Sequence, residues 1–286
     1  MSHSCISQGC PLSPFLFSMV MTVLMTDARA TLTHGAREAC KTGELEDVLF
    51  ADDTLLIGSH GPFVEEYMCA VETAGMDYGL QIHWGKVHVV AVGRCSKIHS
   101  PSQKEIKPQA SMMYLGSTIH TDGKFGCEVS REIGAARAEF RSLSHVWRSR
   151  SVTRGRKLEL FNTYIISKLR YGITSAWLAK ADWRRLDGFQ ARCLREILRI
   201  PPAFVSRVSN ERVRATAGHE AFSTSTSRAQ LNFLEKVLGD PAKRTLRDAA
   251  FLPGTERSLT TVHARKKGRP RHSWTDQLLA IRSKCE

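Results

Sequence analysis

The stretch Leu49-Phe50-Ala51-Asp52-Asp53-Thr54-Leu55-Leu56-Ile57 sets two adjacent carboxylates at a break between apolar runs. Carboxylate oxygens are the ligands that hard divalent ions such as Mg²⁺ prefer. Neighbouring side chains on a regular strand point to opposite faces, so both Asp can serve one site only from a turn or bend. Val48, Leu49 and Phe50 before the pair, and Leu55, Leu56 and Ile57 after it, predict two short buried strands around a hairpin tip. Taken alone, Asp-Asp reads more readily as turn or helix-cap chemistry. The surrounding sequence reverses that preference.

Upstream, Gln8-Gly9-Cys10-Pro11-Leu12-Ser13-Pro14 is turn chemistry leading into an apolar helix over Phe15 to Ala30. Ser13 is the expected N-cap, and Pro14 suits the first helical turn. Gly9 permits close backbone approach to a ligand, and Gln8 offers both a donor and an acceptor. Downstream, Val64, Tyr67, Met68, Val71 and Met76 recur at helical spacing within Phe63 to Tyr78, and Gly79 is placed to end that helix. Strands and helices alternate, so this half reads as α+β.

Beyond Phe125 the pattern turns helical and basic. Helices are predicted over Glu128 to Arg148, Gly155 to Leu169 and Asp182 to Ile200, the last stopped by Pro201-Pro202. Arg192, Arg195 and Arg199 fall on one face of the last helix, a basic stripe suited to a nucleic-acid backbone. Tyr171 and Trp177 are expected to pack helices together. Ser223 to Ser227 reads as a linker and Leu231 to Leu238 as a short helix. Arg265 to Arg271 lacks apolar residues for a core, so disorder is expected there. Within it, Lys266, Lys267, Arg269 and Arg271 are further candidates for backbone contact. Lys267-Gly268-Arg269-Pro270 has the form of an AT-hook core, which enters the narrow minor groove of duplex DNA, and equally that of a plain nuclear-localisation-like run.

The chain of 286 residues is 42% hydrophobic and can bury a sizeable core in one or two domains. Its net charge of +13 is one-sided. Through Gly126 there are 9 Lys/Arg against 13 Asp/Glu; from Cys127 onward there are 32 against 15. A regional excess of this size points to a polyanionic partner, most simply nucleic acid, since Lys and Arg displace condensed counterions there. The 8 cysteines form no Cys-x-x-Cys pair and no zinc-spaced array with histidine, which suggests reduced thiols and an intracellular location, nuclear or cytoplasmic. The apolar run Phe15 to Met25 is too short to span a bilayer and has no basic leader, so no membrane association is expected.

Gln8-Gly9-Cys10-Pro11-Leu12-Ser13-Pro14, followed after a helix by Phe50-Ala51-Asp52-Asp53, resembles two consecutive blocks of reverse transcriptases, those of LINE-type, non-LTR retrotransposons in particular. Gly79-Leu80-Gln81-Ile82-His83-Trp84-Gly85-Lys86 is similar to the next block, with His83 and Val87 where the family has Asn and Thr. Tyr114-Leu115-Gly116-Ser117-Thr118-Ile119 resembles the strand that supports the primer end. Gly268-Arg269-Pro270-Arg271 with Trp274 nearby recurs near the ends of many LINE-type proteins.

The resemblance implies a partial polymerase palm over residues 1–126, a helical thumb-like region over 127–202 and a basic, partly disordered region over 203–286. The implied activity is RNA-directed synthesis of DNA from deoxynucleoside triphosphates, on an RNA template and a DNA primer, with two Mg²⁺ (or Mn²⁺) ions. Asp52 would be the principal metal ligand and Asp53 the second carboxylate. Phe50 and Ala51 would lie by the primer end, Gln8 and Gly9 by the nucleotide and template, and Tyr114, Leu115 and Gly116 in primer support. Lys86 would face the nucleotide phosphates as a proton donor to pyrophosphate; the alternative, an exposed strand residue before Val87-His88-Val89-Val90, stays open. The family takes a further metal-binding Asp from an upstream strand, and Met1 to Ser7 contains no acidic residue. The isolated chain is therefore expected to be inactive or nearly so. A non-catalytic nucleic-acid-binding protein working through the basic C-terminal part is the competing expectation.

Overall fold

The computed structural model describes residues 10–93, 97–123, 125–240, 244–252, 255–256 and 274–283. The chain is α+β and divides into two compact units, Met1–Tyr114 with Ile119–Gly123 and Leu115–Thr118 with Lys124–Glu286.

In the first unit, helix α1 (Ser13–Thr31) is followed by α2 (His34–Thr42), strands β1 (Leu45–Phe50) and β2 (Asp53–Gly58), and α3 (Gly61–Asp77). Three short strands follow, β3 (Ile98–His99), β4 (Glu105–Ile106) and β5 (Ser111–Tyr114); β5 pairs with β6 (Ser117–His120), which straddles the division between units. Ser13 is not the N-cap predicted from sequence. Leu12 before it already has near-helical angles, so Ser13 is the first helical residue.

The core gathers Leu24, Met25 and Ala28 of α1, Ala36 and Ala39 of α2, Leu45 of β1, and Tyr67 and Ala74 of α3. Met76 is exposed, contrary to the periodicity, because Ala74 and Gly75 take the inward positions of the last turn. Gly79 does end α3: at φ 70° its N–H reaches Met76 O (3.1 Å), and Leu80 N–H reaches Gly75 O (2.8 Å), the double closure of a left-handed helix stop.

β1 and β2 form an antiparallel hairpin whose register pairs Leu45 with Gly58, Asp47 with Leu56, and Phe50 with Asp53. Leu45, Leu49 and Leu56 turn toward the core. Gly58 is needed for the close approach to α3, since a Cβ there would stand 2.5 Å from Val64 Cγ2. The opposite face departs from the expected burial: Val48, Phe50 and Ile57 are exposed. With only two strands and one layer of helices, the period-2 alternation buries one face and leaves the other apolar and open.

In the second unit, α4 (Gly126–Ser142) and α5 (Ser144–Arg148) replace the single helix expected over that stretch. Trp147 Nε1 donates to Phe140 O at 2.7 Å, taking the carbonyl that Ser144 N–H would need to continue α4. Helix α6 (Arg154–Leu160) runs through a π-helical segment, Phe161–Ile166, into α7 (Ser167–Arg170). α8 (Lys180–Leu198) stops at Arg199, which takes a left-handed conformation (φ 56°) ahead of Pro201-Pro202. Then come α9 (Ala203–Ser206), α10 (Asn210–Ala217), α11 (Phe222–Gly239), α12 (Arg244–Ala250) and α13 (Trp274–Arg282). The main core is built on Trp147, Phe161, Ile165, Leu169, Leu186 and Leu194, and a smaller cluster joins Leu234, Phe251 and Leu278.

Two further expectations fail here. Ser223 to Ser227 is not a linker but the start of α11, with Thr226 buried. Its first turn is capped from α8, where Asp187 accepts from Ser223 N (2.9 Å) and Ser223 Oγ (2.7 Å) and Gln190 Oε1 accepts from Phe222 N (3.0 Å). Tyr171 is not a core residue. It is 62% exposed and donates through its hydroxyl to Leu115 O, while Trp177 is half-buried. Among the described residues Cys10, Cys40, Cys69, Cys127 and Cys193 are free thiols, and no helix is long and apolar enough to cross a membrane.

Candidate active site

The hairpin tip is a two-residue connection, Ala51 and Asp52, between Phe50 and Asp53. Ala51 has φ 52°, a left-handed conformation that a residue with a Cβ seldom adopts, and such outliers gather where the surroundings hold a functional geometry. Asp53 opens β2, so one carboxylate belongs to the turn and the other to the first strand residue. Both are exposed, and neither carboxylate forms a hydrogen bond or ion pair among the described residues. Phe50 beside them is 61% exposed.

Three side chains behind the tip fix β1. Asp47 lies on the inner face, 5% exposed, and accepts from Arg29 and from Tyr67 Oη (2.8 Å); Arg29 Nε also donates to Tyr67 Oη at 2.8 Å. The triad ties β1 to α1 and α3. Burial and the Asp47 bond push the Tyr67 phenol well above its usual range; burial opposes the Arg29 charge, but Asp47 and Tyr67 more than offset it. None of the three figured among the candidate site residues; Tyr67 was expected only as part of the apolar face of α3. The signal was present, since Leu45-x-Asp47-x-Leu49 sets an acid on the core-facing side of a strand, where it needs partners.

Tyr114 is brought to the same place. Its hydroxyl donates to Val48 O on β1 (3.3 Å), and burial together with the nearby charge of Asp53 raises its pKa. Leu115 (φ 48°) and Gly116 (φ 77°) form the next hairpin tip, both left-handed. They belong with the second unit, where Tyr171 Oη donates to Leu115 O (3.3 Å) and Arg131 donates to Gly116 O. Arg131 is itself clamped by Glu128 and Glu132. Burial disfavours the Glu128 charge, yet Arg131 and Thr118 N–H hold its carboxyl below the usual range.

Lys86 ends a one-turn 3₁₀ helix, Trp84–Lys86, that Trp84 Nε1 pins to Glu72 of α3 (2.7 Å). Its exposed amine bonds to neither carboxylate, and Val87 to Val89 form no strand; a lone bridge joins Val90 to Gln109. Gln8 and Gly9 lie outside the described residues, as do Lys266, Lys267, Arg269 and Arg271.

The basic stripe of α8 is not formed as spacing predicts. Arg195 is buried, and its guanidinium is committed to Pro201 O (3.1 Å), Val208 O (2.5 Å), Asn210 Oδ1 (3.1 Å) and Ser206 Oγ (3.4 Å), so it locks the chain after the Pro-Pro stop. Arg192 is exposed; Arg199 is exposed too and donates to Arg148 O (3.0 Å).

Among the described residues no group of three or more His, Cys, Asp or Glu is placed to hold a metal. The Asp52–Asp53 pair suits a different mode of binding, in which Mg²⁺ takes one or two carboxylates from the protein and completes its shell with water and substrate phosphates. Hard oxygen donors, exposure and the absence of a competing partner among the described residues all fit that mode.

Residues 2–119 match the family model for reverse transcriptase (RNA-dependent DNA polymerase). The matched segment includes the hairpin, its supporting triad, Lys86 and Tyr114. Neither curated proteins nor solved structures returned a match to the chain.

Proposed function

We propose that the β1–β2 tip carries the metal-binding carboxylates of a template-directed deoxynucleotidyl transferase, a reverse transcriptase of the LINE, non-LTR type. One observation carries the reading: Asp52 on the two-residue turn and Asp53 at the start of β2 stand exposed and, among the described residues, unengaged, inside the matched segment. In this reaction the primer 3′-oxygen bonds to the α-phosphorus of a deoxynucleotide as the bond to pyrophosphate breaks. Divalent ions bound at the tip supply charge compensation for the attacking and leaving oxygens.

The chain's own residues do the positioning. Asp52 is the principal ligand and Asp53 the second; the left-handed Ala51 shapes the turn that carries Asp52, and the Asp47, Tyr67 and Arg29 triad holds the strand beneath. Phe50 offers an exposed ring where the primer end would lie, with Tyr114 as its neighbour across Val48. Lys86, an exposed amine, is the candidate proton donor to pyrophosphate. Two adjacent carboxylates offer few ligands for a pair of ions, so the isolated chain is expected to extend primers weakly, and ion binding is the decisive readout.

Mn²⁺ titrated into the full chain with an RNA template, a DNA primer and a non-incorporable nucleotide, followed by electron paramagnetic resonance, tests the assignment. Asp52→Asn should weaken Mn²⁺ binding by about tenfold or more, the loss of one charged ligand. Unchanged affinity would remove Asp52 from the site. Robust primer extension by the unaltered chain, abolished by Asp52→Ala, would instead overturn the expectation of weak activity.

The charge excess beyond Cys127 favours a second reading, in which nucleic-acid binding by the C-terminal part is itself the function. Binding to RNA and DNA is then expected to fall steeply with salt and to be indifferent to Asp52→Asn. Affinity insensitive to salt would count against both readings.

A further inference from the structure

We propose that the chamber of about 370 Å³ between the π-helical segment, α8 and the α10–α11 connection binds a phosphate ester. The site lies wholly in the second unit, outside the residues that match a family, and stands whether or not the polymerase reading holds. Its walls include Asn162 of the π segment, Arg170 at the end of α7, Gln190 of α8, His219 and Glu220 of the connection, and Ser225 of α11.

Arg170 is the central observation. Its Nη2 donates to Ser225 Oγ (3.0 Å), while its Nε is shielded from solvent and has no hydrogen-bond partner among the described residues. A guanidinium N–H so placed calls for an acceptor, and the planar fork of Arg matches phosphate oxygens. His219 is fixed nearby: its Nδ1 donates to Ala217 O (2.9 Å), and its Nε2 stands 3.0 Å from Asn162 Oδ1.

The remaining polar groups do not compete. Glu220 is the one acidic lining residue, and its two carboxylate oxygens are taken by Arg228 at 2.9 and 3.0 Å. Gln190 is spent on both sides, donating to Glu220 O (3.0 Å) and accepting from Phe222 N (3.0 Å). Ser225 Oγ donates in turn to Phe222 O (3.1 Å), so the chamber's open donor and its positive charge are those of Arg170, with no free carboxylate to neutralise them. Its volume falls at the small end of ligand sites, sufficient for a mononucleotide or one phosphodiester of a strand. A π segment in the wall is consistent with this, since such wide turns occur often at functional sites.

The test is calorimetric titration of the full chain at low salt with inorganic phosphate, with dAMP and with a short single-stranded oligonucleotide. Saturable binding of phosphate and dAMP is expected, weakened at least about tenfold by Arg170→Gln and by His219→Gln, and untouched by Arg184→Gln on the exposed surface of α8. Circular dichroism checks the fold of each variant, and should Arg170→Gln fail to fold, His219→Gln decides. An oligonucleotide affinity that falls in parallel identifies the ligand as a strand phosphodiester; one that does not identifies a free nucleotide or phosphate. Absence of saturable binding by all three probes, or wild-type affinity in the folded pocket variants, would overturn the proposal.

Discussion

Asp47→Ala is expected to destabilise the first unit by about 3 kcal/mol, seen as a roughly hundredfold faster amide hydrogen exchange across Leu45 to Gly58. The carboxylate is almost wholly buried and receives two donors, the guanidinium of Arg29 and the hydroxyl of Tyr67. Its removal deletes a charge-assisted hydrogen bond and leaves the fully buried Tyr67 with a donor that has lost its acceptor. Arg29 is half exposed and can rehydrate, which keeps the loss below that of breaking a fully buried ion pair. Asp47→Asn retains an acceptor and should lose about 1 kcal/mol. Because β1 leads directly into the tip, Mn²⁺ affinity should fall with Asp47→Ala although Asp47 touches no ion. A loss under about 1 kcal/mol for the alanine variant would show that the triad does not hold the strand.

Trp147→Ala is expected to cost the second unit about 4 kcal/mol, measured as a lowered denaturation midpoint by far-ultraviolet circular dichroism. The indole is 1% exposed, stacks on Phe140 with ring centroids 5.0 Å apart, and donates to Phe140 O. Truncation opens a cavity beside Phe140 and also frees the carbonyl that ends α4. Lys157, whose amine donates to Trp147 O (2.9 Å) and Ser149 O (2.6 Å), depends on the same turn. Trp147→Phe should recover part of the loss, since it keeps most of the apolar surface but not the N–H. Equal losses for Ala and Phe would mean that the hydrogen bond, not packing, carries the stabilisation.

What could be read from the sequence follows the range of the forces involved. The hairpin around Asp52 and Asp53, the helix before Gly79 and the stop at Pro201-Pro202 rest on signals within a few residues, and each has its structural counterpart. The misread elements depend on partners far along the chain. Ser223 to Ser227 is helical because Asp187 and Gln190, more than thirty residues earlier, cap it. Arg195 turns inward because the segment from Pro201 to Val208 offers it carbonyls, which no helical wheel contains. The Asp47 triad was half legible: strand alternation placed the acid inside, but Arg29 and Tyr67 come from separate helices.

The π-helical segment has a consequence for descent. A helix accommodates one added residue by widening a single turn, so Phe161–Ile166 is the form an insertion takes when the flanking helix must survive. Loss of one residue from Asn162 to Tyr164 would restore a regular α-helix while turning Ser167–Arg170 by about 100°. Arg170 would then leave Ser225 and the chamber. An alignment gap of one residue at this position in any relative would therefore mark a chain that kept the rod and gave up the pocket.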